Sequence, residues 1–341
     1  MAGRVQGDLG AAAGADRRLR RSRRRRLAWA GVALSFLFAY LAFRDVDLDA
    51  LGQALRSQDY VWLLPSGAAV ATAVVLRAWR WQLLFEPRSR PPLSHVTSAL
   101  MIGYLFNNIL PARAGELARV QALGRRAGIS RAHVLATVVL ERVFDLVVLV
   151  ALLLVAVPFL PTVDWLNAAI VLGAVPAVAL VAVTLIVRRY GVRAARVLVK
   201  PLGWLPKVDG ERLEAIAGAL VRGLAGIVTG RLTLAALVVT TVSWLVLACS
   251  IWLLLLGTDI DASFGMALLI LVATNLVLVL PSSPAALGAF EAAVVIALAA
   301  YAVGRAEALS FALVLHALNL FPYLVLGYVA LVLHARAMRA R

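Results

Sequence analysis

The chain predicts an all-α, polytopic membrane protein, and three observations carry that prediction. Apolar residues fill 62 % of the 341 positions against 15 % charged, with a mean hydropathy of +0.90. Several apolar runs exceed the roughly 18 residues that mark a membrane span. The runs are continuous rather than alternating, which excludes a transmembrane β-barrel. The formal net charge of +16 would point to nucleic acid in a soluble protein. Here the basic residues cluster beside apolar runs, so the expected partners are anionic lipid headgroups and not nucleic acid.

Residues 1–26 read as a disordered, cytoplasmic Arg-rich tail, with eight arginines among the ten residues 17–26 and no apolar period. Residues 27–335 form the membrane domain and 336–341 a short cytoplasmic tail. The first span is 27–43, read as a signal anchor. Residues 44–60 carry Asp45, Asp47, Asp49 and Asp59 and belong outside. The second span is 61–85. Its last third holds Arg77 and Arg80 beside Trp79 and Trp81, the composition of interface anchors.

Residues 95–110 are too short and too polar for an ordinary crossing, and the loops on both sides are basic. A re-entrant hairpin entering from the cytoplasm and turning at Leu110-Pro111 satisfies both loops. Spans at 134–159 and 165–187 follow. Residues 188–231 are basic and cytoplasmic, with a surface-lying amphipathic helix at 211–228. A span at 232–257 leads to an acidic outer loop at 258–263. Residues 264–302 are broken by PSSPAALGAFE at 281–291, which lacks Lys and Arg. They read as a second hairpin, entering from outside. The last span is 309–333. The total is about six full spans plus two opposed hairpins, with both termini cytoplasmic; eight or nine spans without hairpins is the alternative. Cys249 stands alone in an apolar run, so neither a disulfide framework nor a thiol metal cluster is expected.

The two breaks resemble each other. Asn107, Pro111, Gly115 and Glu116 in the first correspond to Asn275, Pro281, Gly288 and Glu291 in the second, half a chain length apart. Paired broken segments point to an inverted repeat with a binding site between its halves.

Ionisable groups inside spans are costly, about 2.5–3.5 kcal/mol each at a span centre on insertion scales. Glu141 and Asp145 are four apart and share a helix face. Arg142 points elsewhere and is free to pair with Glu116 or Glu291. Two readings stand: an ion-pair network that fixes packing, or a polar cavity for a charged headgroup or proton. Pro111 suits a helix start. A helix there would aim its N-terminus, with Arg113 and the amides of Asn107 and Asn108, at an anion such as phosphate. Arg119 lies three beyond Glu116 and joins the candidate set, although it, Arg125, Arg126 and Arg131 also suit the cytoplasmic interface. His316 and Asn319 share a face of the last span, and a lone histidine there reads as a packing residue before a ligand. No metal, nucleotide or cofactor motif is present, and no cofactor is expected.

Three stretches, NNILPARAGELARV, ATVVLERVFD and LPSSPAALGAFE, resemble the lysylphosphatidylglycerol synthase transmembrane region, also called the flippase-like domain family, over roughly 27–333. The resemblance implies an all-helical domain with two re-entrant elements and a role with lipids. In bifunctional members, such a domain translocates an aminoacylated lipid made by a separate cytoplasmic domain. No such domain follows before Arg341, so a synthase activity is not expected. Other members resemble partners of polyprenyl-phosphate sugar chemistry or of hopanoid transport. The resemblance carries onto Asn107, Pro111, Arg113, Gly115, Glu116, Arg119, Glu141, Arg142, Asp145, Pro281, Gly288 and Glu291. The departure is His316, near a position where members often carry arginine.

The expectation is therefore a lipid translocase of the bacterial inner membrane, moving a phospholipid or polyprenyl-linked headgroup with no ATP site. The alternatives are an integral-membrane transferase using Glu141 or Asp145 as base, and a non-transporting partner of a glycosyltransferase or other lipid-modifying enzyme.

Overall fold

The computed structural model describes residues 46–110, 114–161, 164–201, 230–277 and 284–339, together with positions 37 and 40 and scattered positions between 210 and 221. The Arg-rich tail, most of the first expected span, Pro111, Arg113, Pro281 and much of the surface helix at 211–228 lie outside the described residues. Every described element is helical, as the continuous apolar runs require.

Helix α1 is Leu48–Ser57, started by Asp47, whose carboxylate accepts from the Asp49 and Ala50 amides at 2.9 and 3.2 Å. Helix α2 is Leu63–Leu83. Helices α3 (Leu93–Ile109) and α4 (Gly115–Ala127) form the first hairpin. Helix α5 is Arg131–Ala156, α6 is Asp164–Tyr190 and α7 is Val192–Val199. Helix α8 is Gly230–Leu255. Helices α9 (Phe264–Val277) and α10 (Ala289–Ala299) form the second hairpin, and α11 is Arg305–Arg339. Five of the expected spans thus fall on long helices. Those at 60–83, 231–255 and 305–339 are long and apolar enough on their own to cross a membrane. The helix at 131–156 carries the charged cluster instead, and α6 includes Pro176.

The order is twofold. A long helix, a hairpin of two short helices and another long helix occur as α2, α3–α4 and α5, and again as α8, α9–α10 and α11. The leading helices of the two repeats run in opposite directions. Helices α2 and α8 are antiparallel, clasped by Ser66 and Ser250, each of whose hydroxyls donates to the other's carbonyl at 2.8 and 3.0 Å. Small hydroxyl residues of this kind let two backbones approach where lipid supplies no hydrophobic drive. At the acidic end of the pair, the Asp59 amide donates to the Gly257 carbonyl at 2.7 Å.

The first hairpin closes on two glycines. A Cβ on Gly115 would strike the Gly103 carbonyl and lie 2.6 Å from Asn107 Oδ1; one on Gly103 would lie 3.1 Å from Arg119 Cβ. The pattern is antiparallel, with 103 facing 115–119. Helix α4 stops at Gly128, whose φ of 68° is the left-handed value that favours glycine. Helix α3 also packs against α11 and against the short turn Pro284–Ala286 of the second hairpin, so the two hairpins meet.

Two apolar clusters fill the interior. One is built on Trp81, Phe85, Leu100, Leu123, Leu140 and Phe144, toward the basic end. The other is built on Val148, Trp244, Ile270, Leu298 and Phe311, toward the acidic end. The polar residues Glu141 and Asp145 sit where these clusters adjoin.

Candidate functional site

Glu141, Arg142 and Asp145 occupy the middle third of α5. Glu141 lies about 15 Å along the helix from Arg131. Buried carboxylates demand partners, and the structure provides them from three other helices. Arg80 of α2 is fully buried. It grips Asp145 with both terminal nitrogens, reaches Glu141 Oε1 at 3.0 Å and donates to Thr240 Oγ1 at 3.3 Å. Arg119 of α4, 2 % exposed, donates to both oxygens of Glu141 at 3.2 and 3.1 Å and to Glu116 at 2.7 Å. Its guanidinium also lies 4.9 Å from the Trp81 ring centre. Arg142 donates to Glu116 Oε1 at 3.0 Å, with Glu141 and Asp145 each 3.6 Å away. The Trp244 indole donates to Asp145 at 3.2 Å and the Trp81 indole to Thr137 at 3.0 Å.

Arginine suits this setting because its forked donors satisfy several carboxylate oxygens at once and its charge is permanent. Arg142 differs from Arg80 and Arg119. Its side chain is 41 % exposed, although its Nε, like that of Arg80, is enclosed and has no hydrogen-bond partner. Arg77 stands one helical turn before Arg80. It lies 4.5 Å over the Trp244 ring and donates to Tyr104 Oη at 3.4 Å. Tyr104 packs in turn on Tyr323 at 4.7 Å between ring centres.

A second polar pair joins the second hairpin to α11. Glu291, in the first turn of α10, accepts from the Gly288 amide at 2.7 Å and meets His316 Nδ1 at 2.6 Å. His316 Nε2 is 3.0 Å from the Ala285 carbonyl. A carbonyl only accepts, so Nε2 carries a proton, and the short Nδ1 contact needs a second one shared with Glu291. Whichever group holds the shared proton, the pair is neutral overall. The ring also packs on Phe290 at 4.5 Å. The turn it grips is irregular: Ala285 and Ala286 both have φ of 56°, a conformation that L-residues avoid and that surrounding contacts must impose.

Of the expected candidates, Glu116, Arg119, Glu141, Arg142 and Asp145 come together in one network. Asn107 sits beside Gly115 at the hairpin tip with a buried, unpartnered Oδ1, and Asn108 is half-buried beside it. Arg113 lies outside the described residues. Helix α4 is described from Gly115, four residues beyond Pro111. One expectation is narrowed and two change. Arg142 pairs with Glu116 and not with Glu291. Glu291 belongs to the separate pair with His316, so it does not balance an arginine of the first hairpin. Arg80 is a central member of the buried network and not an interface anchor, and Arg77 lies against Trp244 and Tyr104. The signal that could have identified both is spacing. Arg77 and Arg80 share a face at i,i+3, as do the acidic residues four apart on α5, and unlike charges on matching faces inside spans select each other.

Comparison with known proteins agrees with the architecture. Residues 28–327 match the lysylphosphatidylglycerol synthase transmembrane region. The chain is also 28 % identical over 326 residues to the protein named Glycosyltransferase AglD of Haloferax volcanii, covering 85 % of this chain and 51 % of that protein. It therefore spans about half the length of this curated relative. With a match across most of its length and an all-helical membrane architecture, the chain belongs to the lysylphosphatidylglycerol synthase transmembrane region family.

Proposed function

We propose that the protein translocates a lipid headgroup across the bacterial inner membrane, through the polar region where the two hairpins meet. The observation that carries this reading is Arg142: a cation near mid-depth, 41 % exposed, between Glu141 and Asp145, which are both buried. Packing alone gives no reason to leave a charge open at that depth, where it is costly unless it faces a wet path or a ligand. The antiparallel repeats and their contacting broken segments support it, since transporters place binding sites between such halves. The basic ends of the helices, carrying Arg88, Arg90, Arg125, Arg126 and Arg131, face the cytoplasm on this reading, with both termini. The short helices of the two hairpins then enter from opposite sides.

The test uses purified protein in vesicles containing a phospholipid with a fluorescent acyl chain and an impermeant quencher added outside. A translocase exposes the inner-leaflet pool, so more than half of the signal is lost. Arg142→Gln returns quenching to the protein-free level while the protein remains folded. Identical quenching in loaded and empty vesicles, for phospholipid and polyprenyl-phosphate lipids alike, overturns the reading.

A second reading is favoured by the likeness to a protein named as a glycosyltransferase. In it the domain presents a lipid-linked sugar to a glycosyltransferase without moving it. Vesicles without translocation, combined with stimulation of a glycosyltransferase by the added domain, would select it.

A further inference from the structure

We propose that Glu291 and His316 are a proton-operated latch: one bound proton ties the turn Pro284–Ala286 to α11, and its loss frees that turn and loosens its contact with the first hairpin. The latch goes beyond the translocase reading and does not depend on it.

The His316 imidazole lies between two acceptors. Its Nε2 is 3.0 Å from the Ala285 carbonyl and its Nδ1 is 2.6 Å from Glu291 Oε1. The carbonyl cannot donate, so the first contact uses a ring proton. The second needs another, wherever between nitrogen and oxygen it sits. Ring and carboxyl together therefore hold two protons, one more than a neutral imidazole beside an ionised carboxylate. When one leaves for water, the pair carries one negative charge, and the ring has a single N–H for two acceptors. Kept on Nε2, that proton leaves the Nδ1 lone pair against an ionised oxygen at 2.6 Å. Kept on Nδ1, it serves the carboxylate and turns the Nε2 lone pair on the Ala285 carbonyl. The second arrangement wins, because the charged acceptor makes the stronger hydrogen bond. The Ala285 carbonyl then loses its donor and repels the ring.

That carbonyl belongs to a segment whose backbone needs restraint. Ala285 and Ala286 have φ of 56° and Gly288 has 80°, and an L-residue stays in that region only while its contacts impose it. Glu291 also accepts from the Gly288 amide at 2.7 Å, so one pair holds the irregular segment at both 285 and 288. The turn packs against α3, and its position sets how the hairpins meet. Glu291 and His316 are both buried, and Phe290 lies against the ring at 4.5 Å, so little water reaches them to replace a lost partner. The other titratable groups of the neighbouring helices sit elsewhere. Helix α9 and the rest of α10 carry none. Helix α3 has His95 near its start and Tyr104, which Arg77 of α2 faces and which stacks on Tyr323, about two turns beyond His316. Helix α1 meets α11 at Ser310 through Gln58, near Glu307. Arg125 and Arg126 of α4 act far down α11, at His334.

Turn and proton can be read separately on the full chain in detergent micelles. Ala286 is 4 % exposed, so in a Cys249→Ser background Ala286→Cys reports release of the turn. Its rate of modification by a water-soluble thiol reagent is divided by that of Ser94→Cys, an exposed position, which removes the pH dependence of the thiol itself. Expected is a ratio that rises between about pH 5 and about pH 9 by up to about tenfold per pH unit, the slope of one proton. Glu291→Gln keeps the tie without a titrating proton, since its amide donates to Nδ1 and its carbonyl accepts from Gly288; the ratio stays low and flat. His316→Ala removes the tie to Ala285; the ratio stays high and flat. Should a variant not fold, nitrogen NMR of ring-labelled histidine in the unsubstituted protein carries the test, with His316 assigned by replacing His95, His133 and His334 in turn. There, Nε2 of His316 is protonated at low pH and loses its proton as pH rises. A wild-type ratio flat across the range overturns the latch, as does the wild-type pH dependence persisting in Glu291→Gln, or an Nε2 that stays protonated throughout. Both readouts are made without transport, so their failure overturns the latch and leaves the translocase reading in place.

Discussion

The guanidinium of Arg80 on α2 grips the carboxylate of Asp145 on α5 with both of its terminal nitrogens, 65 residues apart in the chain and with the arginine fully buried. This fork ties the first repeat together. Asp145 also accepts from Trp244 of α8 at 3.2 Å, so one carboxylate joins elements of both repeats.

Arg80 and Arg142 should therefore fail in different ways. Arg80→Met leaves Asp145 and Glu141 short of a buried partner and costs about 3–5 kcal/mol, read as a lower melting temperature in detergent. Arg142→Gln, at a half-open position, leaves melting nearly unchanged and removes transport. Equal melting losses for the two variants would make the whole network structural.

Gly115→Ala should open the first hairpin. The added methyl meets the Gly103 carbonyl and Asn107, both backbone-anchored, so α4 must shift away from α3. Gly52→Ala on α1 is the matched control: nothing lies within 4 Å of its Cβ, and helix propensity predicts a gain of about 0.5–1 kcal/mol. Thermal melts of both variants check the contrast, and a neutral Gly115→Ala would contradict the close approach.

The second hairpin should depend on Glu291 and His316 as a unit. Glu291→Gln, His316→Ala and the double variant form a cycle whose coupling is on the order of 0.5–3 kcal/mol for residues in contact. Unfolding in mixed micelles supplies the free energies. Additive single effects would mean that the 2.6 Å contact contributes nothing of its own.

Topology is checked by labelling. In a Cys249→Ser background, Ser94→Cys and Arg131→Cys bracket the first hairpin and should react with an impermeant thiol reagent from the same side, the cytoplasm. Labelling from opposite sides would mean that residues 95–127 cross the membrane.

Much of the architecture was legible in the chain. Apolar runs located five long helices, and two Gly/Pro breaks located two hairpins, because span length and backbone satisfaction in lipid leave few choices. Five of the charged candidates also meet, since charges at that depth must find partners. What could not be read was which partners. Arg77 and Arg80 look like interface anchors from their neighbours Trp79 and Trp81, and only the antiparallel packing of α2 against α8, with α5 alongside, turns Arg80 inward. Glu291 looked equally able to serve Arg142 or a histidine.

The sequence by itself determined the membrane class, the helices, the broken segments and the presence of intramembrane charge. These follow from local composition and from the cost of unpaired polar groups in hydrocarbon. The pairing of those charges, the meeting of the hairpins at α3 and the Pro284–Ala286 turn, and the opening at Arg142 were decided by tertiary structure alone. Long arginine side chains can reach several carboxylates, and only the relative rotation and depth of packed helices chooses among them.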